Sequence, residues 1–436
     1  MNRTMKTQRI AAWIGFLAIT HASIAAEPEP AWRQRALATI ESRRKATLAV
    51  EVVDEHGVGV PGARVAVRQL THDFPWGAPR EAGAAVRSPL FNTIRAGRAS
   101  GPGTTALEDA LREASREGLR VHATWEGGGV APEGAPGWAD VAAWELAQST
   151  DEAGRDARVR SLRRASPFAR LFWDCGDVGG QDGGRAVAAG RREASQLGRK
   201  GFGVDGLVAE FRLGPGAGNP EEWMTRLDEG AGAEEGGAPL TWHVIARWPG
   251  KDGGGADARR LSDLLWVAFG HPAVTGISIQ AGEGGKNPLR DAGGITAAGV
   301  AWSNLVCMAW TTRTETRTSI SGRAELRVFR GEHEVSVEHG GQRFNERAVV
   351  SADAVARVVV PVTRPTLAAE PGALVKFTWP AQASGFVLEW SEDPTAGPWT
   401  RCETFAVRGR DAWRQEAGAA SAARFYRLRR GGSEPE

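Results

Sequence analysis

Cysteine, tyrosine and lysine are scarce in this sequence. Three cysteines in 436 residues (Cys175, Cys307 and Cys402) cannot all pair, so the chain is no disulfide scaffold. None stands at a spacing from histidine or another cysteine that suggests a structural zinc site. Only six of the 54 basic residues are lysine; the rest are arginine, and 52 acidic residues nearly cancel them. A formal net charge of +2 excludes a strong general pull toward nucleic acid or an anionic membrane. Beyond residue 26 no apolar run approaches the roughly 20 residues that span a bilayer, so no membrane span is expected in the mature chain. G-x-S-x-G, H-E-x-x-H and P-loop patterns are all missing. Gly201-Phe-Gly203-Val-Asp-Gly206 has G-x-G-x-x-G spacing, but it follows a predicted helix and precedes a predicted strand, the reverse of nucleotide-binding order. No cofactor and no metal is expected.

What is present is globular material, 42% hydrophobic and 24% charged, long enough for two or three domains. Residues 1–26 read as a signal peptide. Arg3, Lys6 and Arg9 precede an apolar stretch from Ile10 to Ile19, and Ala22, Ser23, Ala25 and Ala26 offer a cleavage site. A secreted or periplasmic location follows as an expectation. Seventeen tryptophans accompany the single tyrosine, Tyr426. Tryptophan stacks on sugar faces, although its commoner role is core volume.

The patterning changes twice along the chain. A short helical patch, Ala31 to Lys45, precedes two alternating runs, Ala46 to Asp54 and Ala63 to Leu70. With the Gly57, Gly59 and Pro61-Gly62 link between them, they read as a β-hairpin. Alternation returns from Leu326 to Val360, and the two segments are expected to share a small β-sandwich. Between them short apolar runs alternate with helical stripes. Strands are expected at Leu119–Thr124, Ala169–Trp173, Gly206–Phe211, Leu240–Ala246 and Gly276–Gln280. Helices are expected near Ala186–Leu197, Glu221–Glu229, Ala256–Phe269 and Ile295–Trp310. Repeated βα units in about 235 residues predict the α/β class and a closed (β/α)₈ TIM barrel. The expected division is 27–73 for the N-terminal extension, 74–315 for the barrel and 316–363 for strands pairing back to the extension. A C-terminal β-sandwich, 364–430, and a disordered tail, 431–436, complete it.

Several segments resemble, in order, bacterial glycoside hydrolase family 10. Arg44 to Gly77 resembles the β-extension leading into barrel strand 1, and Leu111 to Trp125 resembles helix 2 and strand 3. Phe172-Trp-Asp-Cys-Gly-Asp-Val178 resembles the strand 4 motif W-D-V-V-N-E. Val204 to Gly214 resembles strand 6, and Leu264 to Gly285, containing His271-Pro-Ala-Val274, resembles helix 7 and strand 8. The resemblance implies a retaining endo-β-1,4-xylanase ancestry, with xylan or another plant-type polysaccharide as partner. Such enzymes use two carboxylates about 5 Å apart, one as acid/base and one as nucleophile.

At the chemistry the resemblance fails. Laid on without gaps, the acid/base position falls on Val178, beside Asp177 as a fallback acid, and the strand 7 nucleophile falls on Val244, preceded by His243. The strand 6 Gln-x-His becomes Glu210-Phe-Arg212, and the strand 8 tryptophans become Gln280 and Glu283. His122 and Trp125 survive from the sugar-lining set. Glu210, Arg212, Arg247 and Glu283 read either as an ion-pair network filling the cleft or as a pocket for an acidic sugar. Asp174 and Glu126 are further acids near strand ends, and the tracts at Gly127–Gly129, Gly253–Gly255 and Gly282–Gly285 lie just after strands. The expectation is a carbohydrate-associated barrel without catalysis. Alternatives are a glycosidase with displaced carboxylates and a protein-interaction scaffold. The C-terminal region, with Trp390, Trp399 and Trp413, resembles a fibronectin type III-like module.

Overall fold

The computed structural model describes residues 29–430, apart from 55–56, 80–90, 100–104, 126–139, 148–151, 215, 233–238, 249–254, 281–287, 292–293, 352, 360–366, 371–373, 381–385, 396, 403–405, 409–411 and 419–423. The expected signal peptide, Glu126, Glu283 and almost all of the three glycine tracts lie outside these residues.

Helix α1 (Ala31–Thr39) and a π-helical turn (Ile40–Arg44) lead into β1 (Lys45–Val53) and then β2 (Arg64–His72). These strands do not form the expected hairpin. β1 pairs with β14 (Arg323–Phe329) on one side and β17 (Ala354–Val359) on the other. β2 joins a second sheet of order β13-β2-β15-β16, with β13 at Arg313–Arg317, β15 at Gly331–His339 and β16 at Gln342–Val350. The alternating faces were legible, since Leu48, Val50, Val52, Val65 and Val67 are all buried in one cluster with Val335 and Val337. The link between β1 and β2 crosses from one sheet to the other, so the two strands are not hydrogen-bonded neighbours and instead bury their apolar faces in the core between the two sheets. Strands β14, β15 and β17, which follow the barrel, pair with β1 and β2, which precede it.

Eight parallel strands close into a barrel in the order β10-β3-β4-β5-β6-β7-β8-β9. They are β3 (Trp76–Pro79), β4 (Thr93–Ala99), β5 (Arg120–Trp125), β6 (Val141–Leu146), β7 (Arg170–Asp177), β8 (Gly206–Arg212), β9 (Thr241–Arg247) and β10 (Val274–Gln280). Helices α2 (Thr105–Glu117), α3 (Glu152–Ala165), α4 (Gly183–Arg199), α5 (Pro220–Ala231), α6 (Gly255–Gly270) and α7 (Ala297–Trp302) fall between and after them. This is the TIM barrel the βα repeat predicted.

Side chains alternate along the barrel strands except where a strand bulges. Trp125, Trp144, Trp173, Trp242 and Val244 belong to the large apolar cluster shared with helix residues such as Leu162, Val187 and Leu264. The opposite set faces the barrel axis, where Ala143, Phe172, Val208 and Ile245 touch one another. Gly230 lets α5 lie against β9, because a Cβ there would stand 1.9 Å from Cζ2 of Trp242.

The C-terminal region folds as two small sheets, β18-β19-β23-β22 and β21-β20-β24. In chain order these strands are β18 (Ala368–Glu370), β19 (Leu374–Pro380), β20 (Phe386–Ser391), β21 (Thr400–Arg401), β22 (Val407–Arg408), β23 (Ala412–Gly418) and β24 (Phe425–Arg430). Phe377, Trp379, Leu388 and Cys402 form their core.

Candidate functional site

Two sequence assignments change once strand order is known. Phe172–Val178 lies on the fifth barrel strand, not the fourth. The fourth is Val141–Leu146, a strand not anticipated, because its apolar run is short and carries Glu145. The W-D-V-V-N-E pattern laid on this strand starts at Trp144-Glu145 and ends on Ser149, which is outside the described residues. Val178 is therefore not at the acid/base position. It is buried in the shell, where its backbone N–H donates to the Glu210 carbonyl (2.9 Å). Val244 is on the seventh strand as expected, but its side chain points outward into the helical shell. The inward neighbours on β9 are His243, Ile245 and Arg247, none of them a carboxylate. The ungapped match was one residue out of phase, and on a strand that exchanges the two faces.

Trp125 is likewise not sugar-lining. It is fully buried in the shell, edge-on to Trp144 with ring centroids 6.2 Å apart. His122 does face the axis, but it is buried, and its ring meets that of His243 at 4.7 Å.

Facing the two histidines is Glu145, also buried, held by Arg95 through Nη2 (2.5 Å) and by the Thr124 hydroxyl (2.9 Å). Burial alone would raise the Glu145 carboxyl. The Arg95 charge and hydrogen bond outweigh it and hold it at about 2. Burial depresses both imidazoles, His243 to about 4, and the neighbouring His243 ring adds to the effect on His122. His243 Nε2 lies 3.0 Å from Ser278 Oγ. His122, Glu145 and His243 each offer one ligand atom, all within 4.8 Å of one another, so neutral imidazoles and a carboxylate of a kind that binds metal are brought together. Arg95 already neutralises this carboxylate, and an entering cation would have to share it. The sequence reading expected no metal and missed the cluster, since its members come from β5, β6 and β9.

Toward the C-terminal mouth the charged groups pair. Arg247 donates to Glu210 Oε1 (2.7 Å) and reaches the Gln280 side-chain oxygen at 3.4 Å. Arg212 lies 3.5 Å from Asp177 Oδ2. Arg212 is thus turned to Asp177 rather than to Glu210, and Glu283 lies outside the described residues. Asp177 reaches the mouth because β7 bulges between Asp174 and Asp177, where Gly176 takes φ 74°. Without that bulge the alternation would turn it away.

Asp174 faces the same space. Burial raises its carboxyl to about 6, the nearby Glu210 and Glu145 charges add to this, and the Gly176 N–H (2.8 Å) and Arg95 oppose it. A carboxyl poised there can serve as an acid near neutrality.

His271 is a structural anchor. It is fully buried and bonds Asp228 (3.0 Å), which also pairs with Arg35. Among the described residues no disulfide joins Cys175, Cys307 and Cys402. In the C-terminal sheets Trp390 and Trp399 are half-buried, and their faces are covered by Arg424 (3.9 Å) and Arg427 (4.0 Å). The Trp413 side chain is outside the described set.

No protein-family model matches the sequence, and no curated protein matches it. Solved structures that overlay on it include xylanase 10B from Thermotoga petrophila, 13% identical over 54% of this chain and 95% of that one, with a TM-score of 0.37. Xylanase 10C from Cellvibrio japonicus is 11% identical over 54% of this chain and 71% of that one, TM-score 0.41. Orotidine 5′-monophosphate decarboxylase from Methanocaldococcus jannaschii is 14% identical over 48% and 89%, TM-score 0.28. Likeness at this level spans unrelated chemistries and leaves function to the site's own geometry. The class defined is a (β/α)₈ barrel protein with additional β-sheets.

Proposed function

We propose that this protein is an exported, carbohydrate-associated barrel that does not hydrolyse glycosidic bonds. The observation that carries the reading is the Glu210–Arg247 ion pair at 2.7 Å, with Gln280 beside it, at the mouth where a retaining glycosidase would present a free nucleophile. A carboxylate clamped by arginine is a poor nucleophile, and β9 offers no acid on its inward face. The resemblance to family 10 supplies the expected ligand, xylan or a related polysaccharide. The C-terminal pair of sheets then serves as an appended fibronectin type III-like module. The test is reducing-end release from soluble xylan by purified protein, beside migration in a xylan affinity gel. Retardation without hydrolysis is the expected result; hydrolysis refutes the reading.

One observation favours a second reading. Asp174, raised by burial to about 6, stands near Glu210, which places two carboxyl groups on adjacent strands. If xylan is hydrolysed, this reading requires Asp174→Asn to abolish the activity and the wild-type rate to fall as pH rises past about 6. Activity that survives Asp174→Asn removes Asp174 from the chemistry.

A further inference from the structure

At the opposite end of the barrel, where the strands begin, lies a pocket of about 300 Å³ between the strand N-termini and the first β-sheets. Five arginines line it: Arg43, Arg44, Arg120, Arg170 and Arg330. Among the described residues the one carboxylate in its wall is Asp73, and the wall histidine, His72, is kept neutral by burial, at about 4. The arginines come from four separate places. Arg43 and Arg44 end the π-helical turn, Arg120 opens β5, Arg170 opens β7, and Arg330 stands between β14 and β15. The Arg330 backbone N–H donates to the Arg44 carbonyl (2.9 Å), which ties two of them together.

Their charges are not cancelled from within. Arg44 spends its donors on the carbonyls of Phe269, His271 and Val274. Arg120 reaches the Asp73 carbonyl and Arg170 the Thr241 hydroxyl. These partners are neutral. Among the described residues, none of the five forms an ion pair with a carboxylate. Asp205, whose field reaches Arg170, is itself bound to Arg163 at 2.9 Å. Arg330 Nε is buried and has no hydrogen-bond partner among the described residues. Burial, followed by the repulsion of Arg330 and Arg43, lowers the Arg44 guanidinium to about 10. Like charges gathered in a concave, partly desolvated site repel one another unless a counter-charge enters. Guanidinium groups present paired N–H donors that match the oxygens of phosphate and carboxylate.

We propose that this pocket binds a compact multivalent oxyanion, a phosphate or polycarboxylate group. The anion sits at the N-terminal face, apart from the C-terminal mouth, so the assignment is independent of any activity there. It bridges the barrel to the flanking sheet through Arg44 and Arg330.

The experiment titrates the full-length mature protein with inorganic phosphate, and separately with citrate, by isothermal calorimetry at constant ionic strength set with chloride. One saturable site per chain is expected with at least one of the two. A phosphate-only result identifies a phosphoryl ligand and a citrate-only result a polycarboxylate. Arg330→Gln should weaken the binding at least tenfold, and Arg212→Gln at the opposite mouth should leave it unchanged. Arg43→Gln, at an exposed position, provides a second probe should Arg330→Gln fold poorly. No saturable binding of either anion at millimolar concentration overturns the proposal. So does wild-type affinity in folded Arg330→Gln and Arg43→Gln, or loss of binding in Arg212→Gln instead.

Discussion

Replacing Asp174 by asparagine tests the electrostatics of the C-terminal mouth directly. The carboxyl ordinarily titrates at 3.8 and is raised to about 6 in the folded protein. That is a shift of roughly 2 units, each worth about 1.4 kcal/mol. Below about pH 4 the group is protonated in both states and contributes nothing. Between about 4 and 6 the unfolded chain ionises first, so stability falls as pH rises. Above 6 the full penalty, about 3 kcal/mol, is present. Asparagine keeps an oxygen for the Gly176 N–H and carries no charge. Asp174→Asn is therefore expected to be more stable than wild type by about 3 kcal/mol at pH 7.5, and equal to it at pH 3.5. The assay is urea unfolding of both proteins at half-unit steps of pH, followed by tryptophan fluorescence. A difference that stays flat with pH, or a variant less stable at pH 7.5, would refute the account of a desolvated carboxyl beside Glu210 and Glu145.

Other perturbations follow from the same geometry. Arg95→Leu leaves the Glu145 carboxylate buried without its partner and should cost about 3–5 kcal/mol in chemical denaturation. The double variant Arg95→Leu/Glu145→Leu should recover most of this, and a double variant no better than the single would disprove the pairing. Val244→Glu, the change that a one-residue-shifted alignment would nominate to restore a nucleophile, puts an unpaired acid into the helical shell. It should lower stability by several kcal/mol and yield no reducing ends from xylan. Trp125→Ala should cost about 3–5 kcal/mol in stability yet leave retardation in a xylan gel unchanged, since the indole has no exposed face. Gly230→Ala forces α5 off Trp242 and should cost about 1–3 kcal/mol, read as a lowered melting temperature.

Much of the barrel was readable because its cues are local. Gly206–Arg212, Thr241–Arg247 and α6 fall within a residue or two of their expected bounds, since each has a clean apolar period and glycine or proline at its ends. β6 and α3 were not readable. Glu145 interrupts the short apolar run of β6. α3, Glu-Ala-Gly-Arg-Asp-Ala-Arg-Val-Arg-Ser-Leu-Arg-Arg-Ala, buries Arg155, Arg158 and Ser161 beside Val159 and Leu162. Its inner face is made partly of arginine stems, which read as a solvated surface. Missing that one βα unit moved Phe172–Val178 from fifth place to fourth and carried Val178 with it.

The amino-acid pattern by itself determined the repeat of strand and helix, hence the barrel, and which faces of β1 and β2 are apolar. These depend on periods of two and 3.6 residues that any short window contains. Only the tertiary structure decided which strand is fourth, which side of β9 meets the axis, and that a glycine bulge turns Asp177 back to the mouth. It alone gathered His122, Glu145 and His243 at the barrel axis and five arginines beneath it. Such groups come together through barrel closure and strand register, which join residues up to hundreds of positions apart and leave no trace in local spacing.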